Sequence, residues 1–535
     1  MADYLTGSEA TIAQLVAEGV EVVLSIPGEH NLSLCDSVLD FPRLRFITGR
    51  HEQGITFMAN GYARACGKIA VPIVISGPGV TNSITPLADA YLDSVPMVLI
   101  ATQSDSHRLG KGAFHELKDQ TGLLASVTKW NTRVERVEEV PDAIRTAFVQ
   151  AHGGRPGPTA VEIPLDVQAQ RGQVDIYPSV RPERRRSDPD AVREAARLLS
   201  AATSPLVHLG RGVALSECTA EVIQLIEHLN APCFTTALAK GTIPEDHPLN
   251  LGWGGDQYGL VHQFLEDADA ALVIGSSLDE ADTERLGLTF PETLIQIDAC
   301  SDVIGRKYPV SVGLAGDAKA VLSQLLAELP NYDQATRSSP TARIAEHKQR
   351  ALGRMQHKLA WQFMNAIQQA LPRDAFVTND ASQTNGWALS FLQRHFPNTI
   401  NITRNLAALG YAFPAALGAK LAYPERQAMA VVGDGGFLFT IFSLATAVQH
   451  RINAVAIVFN DESYSTIRGI QAQRFGRTIG ADLRNPDFVR LAEAYGAAGA
   501  QAENPKQLYD TLMAAWQRDV PTIIEVPIRE NVDYV

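Results

Sequence analysis

Short apolar, β-branched runs alternate with longer stretches of helical spacing along most of this chain. Val20 to Ile26, Val71 to Ser76, Met97 to Ala101, Ala270 to Gly275 and Ala454 to Phe459 are the clearest of the short runs. Uninterrupted apolar runs this brief suit strands buried on both faces, and the helical stretches between them supply the covering layers. The rhythm therefore predicts an α/β chain of doubly wound parallel-sheet domains. Two stretches interrupt it. Ala169 to Asp190 carries Tyr177-Pro178, Pro182, Arg184-Arg185-Arg186 and Pro189, and Pro330 to Arg343 is polar with Ser338-Ser339-Pro340. Taken as linkers at about 169–189 and 331–344, they leave three domains, at about 1–168, 190–330 and 345–535, each of ordinary domain size. The three arginines are then a solvated part of the first linker, with an anion patch as the alternative. No repeat of solenoid period is present.

Charge and cysteine content narrow the function. Lys plus Arg number 46 against 59 Asp plus Glu, a formal net charge of −13 that repels phosphate backbones and anionic membranes. Nucleic acid is not an expected partner. Cys35, Cys66, Cys218, Cys233 and Cys300 lie far apart without a CxxC pair, so they read as free or buried thiols rather than a disulfide frame or zinc site. Met1-Ala2-Asp3-Tyr4 does not begin a basic, then apolar, leader, and no run of about 18 apolar residues occurs. The expectation is a cytoplasmic protein with no membrane partner.

Two strand ends carry chemistry. Met429-Ala430-Val431-Val432-Gly433-Asp434-Gly435-Gly436 reads as a buried strand entering a glycine-rich turn, with helical spacing from Phe437 through Gln449. Free backbone N–H groups converge at such a turn and favour an anion. Val455-Ala456-Ile457-Val458-Phe459 ends in Asn460-Asp461-Glu462-Ser463-Tyr464, with Asp461 27 positions beyond Asp434. Parallel strands present their C-terminal ends together, so Asp434 and Asp461 can share one hard divalent cation completed by phosphate oxygens and a backbone carbonyl. Two unrelated surface turns are the alternative.

Near the N-terminus, Leu44-Arg45-Phe46-Ile47 runs into Gly49-Arg50-His51-Glu52-Gln53-Gly54, and Ile55, Met58, Ala59 and Tyr62 then recur on a helical face. Glu52 is placed at a strand-to-helix junction between two glycines, where backbone can approach a ligand. A glutamate that merely complements a helix macrodipole is the other reading.

The Gly433-Asp434-Gly435 turn followed at this distance by Asn460-Asp461 resembles the motif of thiamine diphosphate (ThDP) enzymes. The resemblance implies that Asp434, Asp461 and the carbonyl of Ser463 bind Mg²⁺, with Gly433, Gly435 and Gly436 beside the diphosphate. Asp461 departs from the family's asparagine, keeping an oxygen ligand and adding a charge. The Glu52 segment looks like the family's catalytic glutamate. Ile26-Pro27-Gly28, Ser76-Gly77-Pro78-Gly79-Val80-Thr81-Asn82 and Ala90-Tyr91-Leu92-Asp93-Ser94-Val95-Pro96 resemble the pyrimidine-binding domain of acetolactate synthase and related 2-oxo acid enzymes. On that basis Pro27, Gly28, Pro78 and Asn82 contact the cofactor. Leu409-Gly410-Tyr411-Ala412-Phe413-Pro414-Ala415-Ala416 resembles the segment whose first side chain props the cofactor into a V, and Ala407 would accept from its 4′-amino group through the carbonyl. Ala381-Ser382-Gln383-Thr384 matches the turn that caps the diphosphate, so Ser382, Gln383 and Thr384 join the expected cofactor contacts. Thr242-Ile243-Pro244-Glu245-Asp246-His247-Pro248-Leu249 is similar to the same group. The three domains are then pyrimidine-binding, central Rossmann-like and diphosphate-binding.

Such an enzyme decarboxylates a 2-oxo acid to an enamine, which passes either to a proton, releasing an aldehyde, or to a second carbonyl, as in a carboligase. Glu52 would donate to N1′ of the aminopyrimidine from a dry site, favouring the imino form that removes the C2 proton. Ala113-Phe114-His115-Glu116 resembles the Phe-Gln-Glu segment of acetolactate synthases, with His115 in the pocket glutamine's place, as in decarboxylases of guanidino 2-oxo acids. His115 is therefore a candidate catalytic residue, with a surface histidine as the alternative. Tyr464-Ser465-Thr466-Ile467-Arg468 departs from the Gly-Met-Val pattern of true acetolactate synthases. His208-Leu209-Gly210-Arg211-Gly212 has too few glycines for a full dinucleotide fingerprint, leaving FAD and a vestigial loop both open. The competing functions are a flavin- or nucleotide-dependent oxidoreductase and a non-catalytic regulator of ThDP fold. The family's shared sites imply a homodimer or homotetramer.

Overall fold

The computed structural model describes residues 3–255 and 259–528. Met1, Ala2 and the final residues 529–535 of the third expected domain lie outside the described residues. Three six-stranded parallel sheets form the framework, as the alternating pattern predicts. In the first sheet the spatial order is Arg45–Thr48, Val22–Ser25, Val71–Val74, Met97–Gln103, Pro158–Pro164 and Trp130–Arg133. In the last it is Ile400–Ile402, Phe376–Asn379, Ala428–Gly433, Val455–Asn460, Thr522–Pro527 and Ala498–Gln501. Numbered within each sheet, both run 2-1-3-4-6-5, so the two share one topology. Their crossovers change direction between the first and third strands, where a crevice opens beyond the strand ends.

The middle sheet differs. Its order is Asn250–Trp253, Cys233–Thr235, Pro205–Leu209, Ala270–Ile274, Thr293–Asp298 and Val312–Ala315, which is 3-2-1-4-5-6, the Rossmann order. A small antiparallel pair, Asp3–Thr6 with Arg171–Val174, lies apart from the three. Its second strand falls inside the stretch read as a linker at 169–189. Within that stretch Arg184 also donates to the carbonyl of Ser216 at 2.6 Å and pairs with Asp317 at 3.2 Å, so it is fastened to the middle sheet's domain rather than simply solvated.

The strands are apolar because both faces are covered. Leu24, Val71, Val74, Leu99 and Ile100 in the first sheet, and Ala430, Val432, Ala456 and Val458 in the last, have less than 2% exposure. One apolar cluster spans both sheets, through helices Glu52–Cys66 and Ala412–Ala422. These helices approach closely because small residues meet: a Cβ on Gly61 would stand 2.4 Å from the Cα of Ala415, and one on Gly418 would stand 2.0 Å from the carbonyl oxygen of Met58. Beside them Arg64, fully buried, donates to Asp89 at 3.1 Å and Asp93 at 2.9 Å, and to the carbonyl of Ile402 at 3.1 Å. Asp93 in turn accepts from the backbone N–H groups of Arg404 and Asn405. Arg404 reaches the middle domain by pairing with Asp282 at 3.0 Å. One polar network thus ties all three sheets' domains together. The five cysteines are free thiols. Among the described residues no helix is long and apolar enough to cross a membrane.

Candidate active site

The first sheet's crevice is built from four successive strand ends. Val22–Ser25 leads to Pro27, Gly28 and His30; Arg45–Thr48 leads to Glu52; Val71–Val74 leads to Ser76, Pro78 and Asn82; Met97–Gln103 leads to His115. Glu52 opens its helix, with His51 as the N-cap whose ring accepts from the N–H of Gln53. Its side chain is only 8% exposed, and Asn82 Nδ2 donates to Glu52 Oε2 at 2.9 Å. That bond brings two residues from separate motifs together. Both flanking glycines are closely packed. A Cβ on Gly49 would strike Ile55 at 2.2 Å, and one on Gly54 would strike Ser443 at 2.7 Å and Phe442 at 2.8 Å. The whole junction is fastened to the last sheet's domain: the N–H of Thr48 donates to His450 at 2.9 Å, and Arg50 donates to Gln449 at 2.5 Å.

Gly28 donates its N–H to Asn31 Oδ1 at 2.8 Å, which fixes the turn after Pro27. Gly77 has a φ of 65°, and a Cβ there would meet the carbonyl oxygen of His115 at 2.6 Å, so glycine is required for the loop bearing His115 to lie across it. His115 itself sits at a φ of 60°, a left-handed conformation uncommon for a non-glycine residue. The neighbouring Glu116 ties the loop together, accepting from the N–H groups of Gly112 at 3.1 Å and Ala113 at 2.9 Å, and from that of Gly110.

The last sheet's crevice lies between the ends of Phe376–Asn379 and Ala428–Gly433. Asp434 is the first residue of helix Asp434–Leu438 and is 2% exposed. Asn485 Nδ2 donates to Asp434 Oδ2 at 2.5 Å and to Asn460 Oδ1 at 2.9 Å, bridging the two strand ends. Asp461 accepts from the N–H of Ser463 at 3.2 Å, and the buried Ser463 hydroxyl has no partner. Burial raises the Asp434 carboxyl above its ordinary pKa, and Asp461 adds to the shift. Two carboxylates that repel, beside an unpartnered hydroxyl, suit a hard divalent cation. Among the described residues no group of three or more His, Cys, Asp or Glu side chains forms a metal cage, so such a cation would need ligand oxygens as well.

Around these carboxylates the glycines divide in function. A Cβ on Gly433 would have only Ser382, at 3.8 Å, near it, leaving open space over the turn. Gly435 and Gly436 are instead pressed against Tyr464 and Asp380, at 2.5 and 2.6 Å from such a Cβ. Helix Asp434–Leu438 does not continue to Gln449 as the spacing predicts; a second helix, Ser443–Gln449, follows a break. The break falls where Thr440 packs onto Gly410, whose carbonyl accepts from Thr440 Oγ1 at 2.7 Å. The Ser382 and Thr384 hydroxyls are 2.7 Å apart beside exposed Gln383. Ala407 is exposed with a φ of 54°, and Leu409 is half-buried rather than a core leucine.

Three polar residues escaped sequence reasoning. Asp380, fully buried, accepts from the N–H of Gly410 at 2.8 Å and of Ala412 at 2.7 Å, holding the loop that carries Ala407 and Leu409; burial pushes its pKa up to about 7. Its position one residue beyond a strand end was the available signal. His30 stands beside His115, and its nearness to Pro27-Gly28 could have marked it. Asn485 had no local signal at all.

The middle sheet's turn lines a cleft of about 160 Å³ together with Arg155 and Asn405 from the flanking domains. A Cβ on Gly210 would meet the carbonyl oxygen of Gly275 at 2.2 Å, and one on Gly212 its Cα at 2.6 Å. Both glycines are therefore used by loop-on-loop packing. Arg211 is buried with Nε unpartnered, and burial pushes its pKa down to about 9.

Comparison with known proteins agrees with this architecture. Thiamine pyrophosphate enzyme domain models match in order: the N-terminal TPP binding domain over residues 5–123, the central domain over 192–325 and the C-terminal TPP binding domain over 380–526. A probable acetolactate synthase large subunit of Methanocaldococcus jannaschii is 32% identical over 550 residues, covering 98% of this chain and 92% of that protein. A probable 2-ketoarginine decarboxylase, AruI, of Pseudomonas aeruginosa is 36% identical over 541 residues, covering 98% and 94%. The acetolactate synthase isozyme 1 large subunit of Escherichia coli is 29% identical over 537 residues, covering 98% and 94%. Neither an oxidoreductase built on the middle domain nor a non-catalytic regulator is favoured by these likenesses. With three sheets in the matching order and relatives aligned nearly end to end, the chain belongs to the thiamine pyrophosphate enzyme family.

Proposed function

We propose that this enzyme uses thiamine diphosphate and Mg²⁺ to decarboxylate a 2-oxo acid, releasing an aldehyde or joining the remaining fragment to a second carbonyl. The observation that carries this is the pair of crevices at equivalent points of two like sheets, one holding Glu52 against Asn82 and the other Asp434 against Asn485. When bound, the cofactor supplies a nucleophilic thiazolium carbon and an electron sink for the pair released with CO₂. Glu52, nearly dry and oriented by Asn82, holds a proton at N1′ of the pyrimidine. Pro27, Gly28 and Pro78 bound the ring, the carbonyl of Ala407 accepts from the 4′-amino group, and Leu409 supports the bend of the cofactor. Ser382, Gln383, Thr384 and the turn Gly433 to Gly436 receive the diphosphate. Asp434, Asp461 and the carbonyl of Ser463 hold Mg²⁺, whose charge relieves the repulsion between the carboxylates.

A guanidino 2-oxo acid is the favoured substrate class, because exposed Glu29, next to His30 beside the crevice, can meet a cationic tail. The Pseudomonas relative's name points the same way. The two crevices belong to different sheets, and apolar side chains stay exposed near them: Phe114, Phe439, Ile467, Ile470, Phe475 and Ile479, the last 85% exposed. A second copy would cover them, so the unit is a homodimer or homotetramer with sites between chains. A cytoplasmic location fits the free thiols. No flavin is assigned to the middle cleft, since the glycines of its turn are filled by Gly275; a flavin absorbance band in the purified protein would overturn that. The test of function is a panel of 2-oxo acids, pyruvate and a guanidino 2-oxo acid among them, incubated with ThDP and Mg²⁺. CO₂ should appear together with aldehyde or 2-hydroxy ketone. Absence of CO₂ from every member refutes the assignment.

A further inference from the structure

Phe114 and His115 are the two central residues of a β-turn, closed where the N–H of Glu116 donates to the carbonyl of Ala113 at 3.1 Å. Turns with a left-handed third residue favour glycine or asparagine there, yet the third residue is His115, with a φ of 60°. Glu116 closes the turn a second time through its side chain. Its carboxylate accepts from the N–H of Ala113 at 2.9 Å, from that of Gly112 at 3.1 Å and from that of Gly110. The N–H groups of Gly110, Ala113 and Gly112 hold the Glu116 carboxyl below the usual carboxylate range, so all three bonds are made to a charged acceptor.

The loop around this turn is anchored on either side. Before it, the N–H and Oγ of Ser106 donate to Asp166 Oδ1 at 3.0 and 3.1 Å. After it, Gln120 Nε2 donates to the carbonyl of Thr102 at 2.9 Å and to Glu162 at 2.7 Å, while its Oε1 accepts from the N–H of Gly77 at 3.0 Å. Between these anchors, and among the described residues, the hydrogen bonds of residues 109–113 all stay within the loop. A Cβ on Gly110 or Gly112, left-handed at 78° and 77°, would meet nothing within 4 Å. Packing does not fix those two glycines; the Glu116 carboxylate gathers them. The turn it secures lies across Gly77, at the sheet end that carries Glu52 and Asn82, with Phe114 64% exposed at its apex.

We propose that Glu116 is a positioning residue for substrate selectivity, whose carboxylate holds the Phe114–His115 turn as a fixed wall against the side chain of the 2-oxo acid. This rests on the ThDP reading of the site and goes beyond it by naming what keeps that wall in place. A guanidino 2-oxo acid extends several atoms past the reacting carbon and reaches the wall. Pyruvate, with a methyl group there, does not. Loosening the turn should therefore penalise the long substrate and spare the short one, whereas general damage to the domain would penalise both alike.

The test compares the unsubstituted protein with Glu116→Ala, Glu116→Gln and Gly110→Ala. Without cofactor, amide hydrogen exchange over residues 109–116, followed by mass spectrometry, should speed up roughly tenfold in Glu116→Ala, the scale of a lost hydrogen bond to a charged group. With ThDP and Mg²⁺, the KM of that variant for the guanidino 2-oxo acid should rise roughly tenfold with little change in kcat, as for a displaced binding contact. Pyruvate, followed as substrate or as competitor, should bind nearly as before, and C2 hydrogen exchange of bound ThDP should continue. Glu116→Gln keeps an acceptor oxygen and should recover part of both losses. Gly110→Ala strains left-handed backbone without a clash and should move both readouts the same way by less. Unchanged exchange in Glu116→Ala, an unchanged KM, or an equal loss for both substrates overturns the proposal, and CO₂ release in those assays leaves the ThDP assignment standing. No CO₂ from either substrate in the unsubstituted protein overturns both.

Discussion

Replacing Arg64 by methionine should damage both stability and cofactor binding, although Arg64 belongs to no motif. Its guanidinium is fully buried, 3.1 Å from Asp89 and 2.9 Å from Asp93, with Asn60 and the carbonyl of Ile402 taking its other N–H groups. Methionine fills similar volume but leaves two carboxylates in the interior without their cation. Removing one partner of a buried pair costs about 3–5 kcal/mol, which for a domain of this size lowers its melting temperature by roughly 6–20 °C. Burial already raises the Asp89 carboxyl against the pull of Arg64, and without that pull it should rise further. A carboxyl raised on folding favours the fold at acid pH and loses that advantage as pH rises through its folded pKa. The deficit of Arg64→Met should therefore be largest at neutral pH and shrink toward about pH 5. Asp93 also holds the N–H groups of Arg404 and Asn405, just before Ala407, so ThDP affinity should fall with stability. Arg64→Lys, which keeps the charge but not the fork, should recover part of both. Scanning calorimetry at two pH values and ThDP titration measure these effects. A methionine variant that melts like the unsubstituted protein at neutral pH and binds ThDP normally would refute the network's role.

Glu52→Gln should fold normally yet lose C2 hydrogen–deuterium exchange of bound ThDP, because an amide cannot supply the proton at N1′; near-normal exchange removes Glu52 from the mechanism. Asp434→Ala and Asp461→Ala should each weaken Mg²⁺-dependent ThDP binding in calorimetry, and an unchanged affinity would make that carboxylate structural. Mixing the inactive Glu52→Gln and Asp434→Ala chains should restore up to one intact site per heterodimer; exchange of subunits without returning activity would contradict sites shared between copies. Asp380 has a pKa raised from 3.8 to about 7, so its contribution favours the fold below its unfolded pKa and is lost as pH climbs through the folded value. Between about pH 5 and 8 the unsubstituted protein should then lose more thermal stability than Asp380→Asn, and parallel melting curves would count against the buried carboxyl.

Sequence periodicity located the sheets because their strands are buried on both faces, as Leu99 and Val432 illustrate, and an apolar run then reports burial directly. The strand order was not written locally, since a pairing such as Val22–Ser25 beside Val71–Val74 depends on crossovers. The motif residues were legible because glycine and aspartate at strand ends leave a short-range pattern. What could not be read was the partnership of distant side chains. Asn82 reaches Glu52, Asn485 reaches Asp434 and His30 meets His115 only after the chain has folded. The packing of the glycines was equally hidden: Gly54 and Gly210 lie against Phe442 and Gly275, from segments remote in sequence.

The close seating of Gly61 on Ala415 and of Gly418 on Met58 has a consequence for synthesis. The helix Glu52–Cys66 leaves the ribosome about 360 positions ahead of its partner Ala412–Ala422. At about 5–20 residues per second, the apolar face around Met58 and Tyr62 waits roughly 20–70 s for its cover. During that interval the nascent chain presents a surface to chaperones and to neighbouring nascent chains. A substitution that enlarges Gly418 should therefore show itself first as lower soluble yield, before any change in the properties of the molecules that do fold.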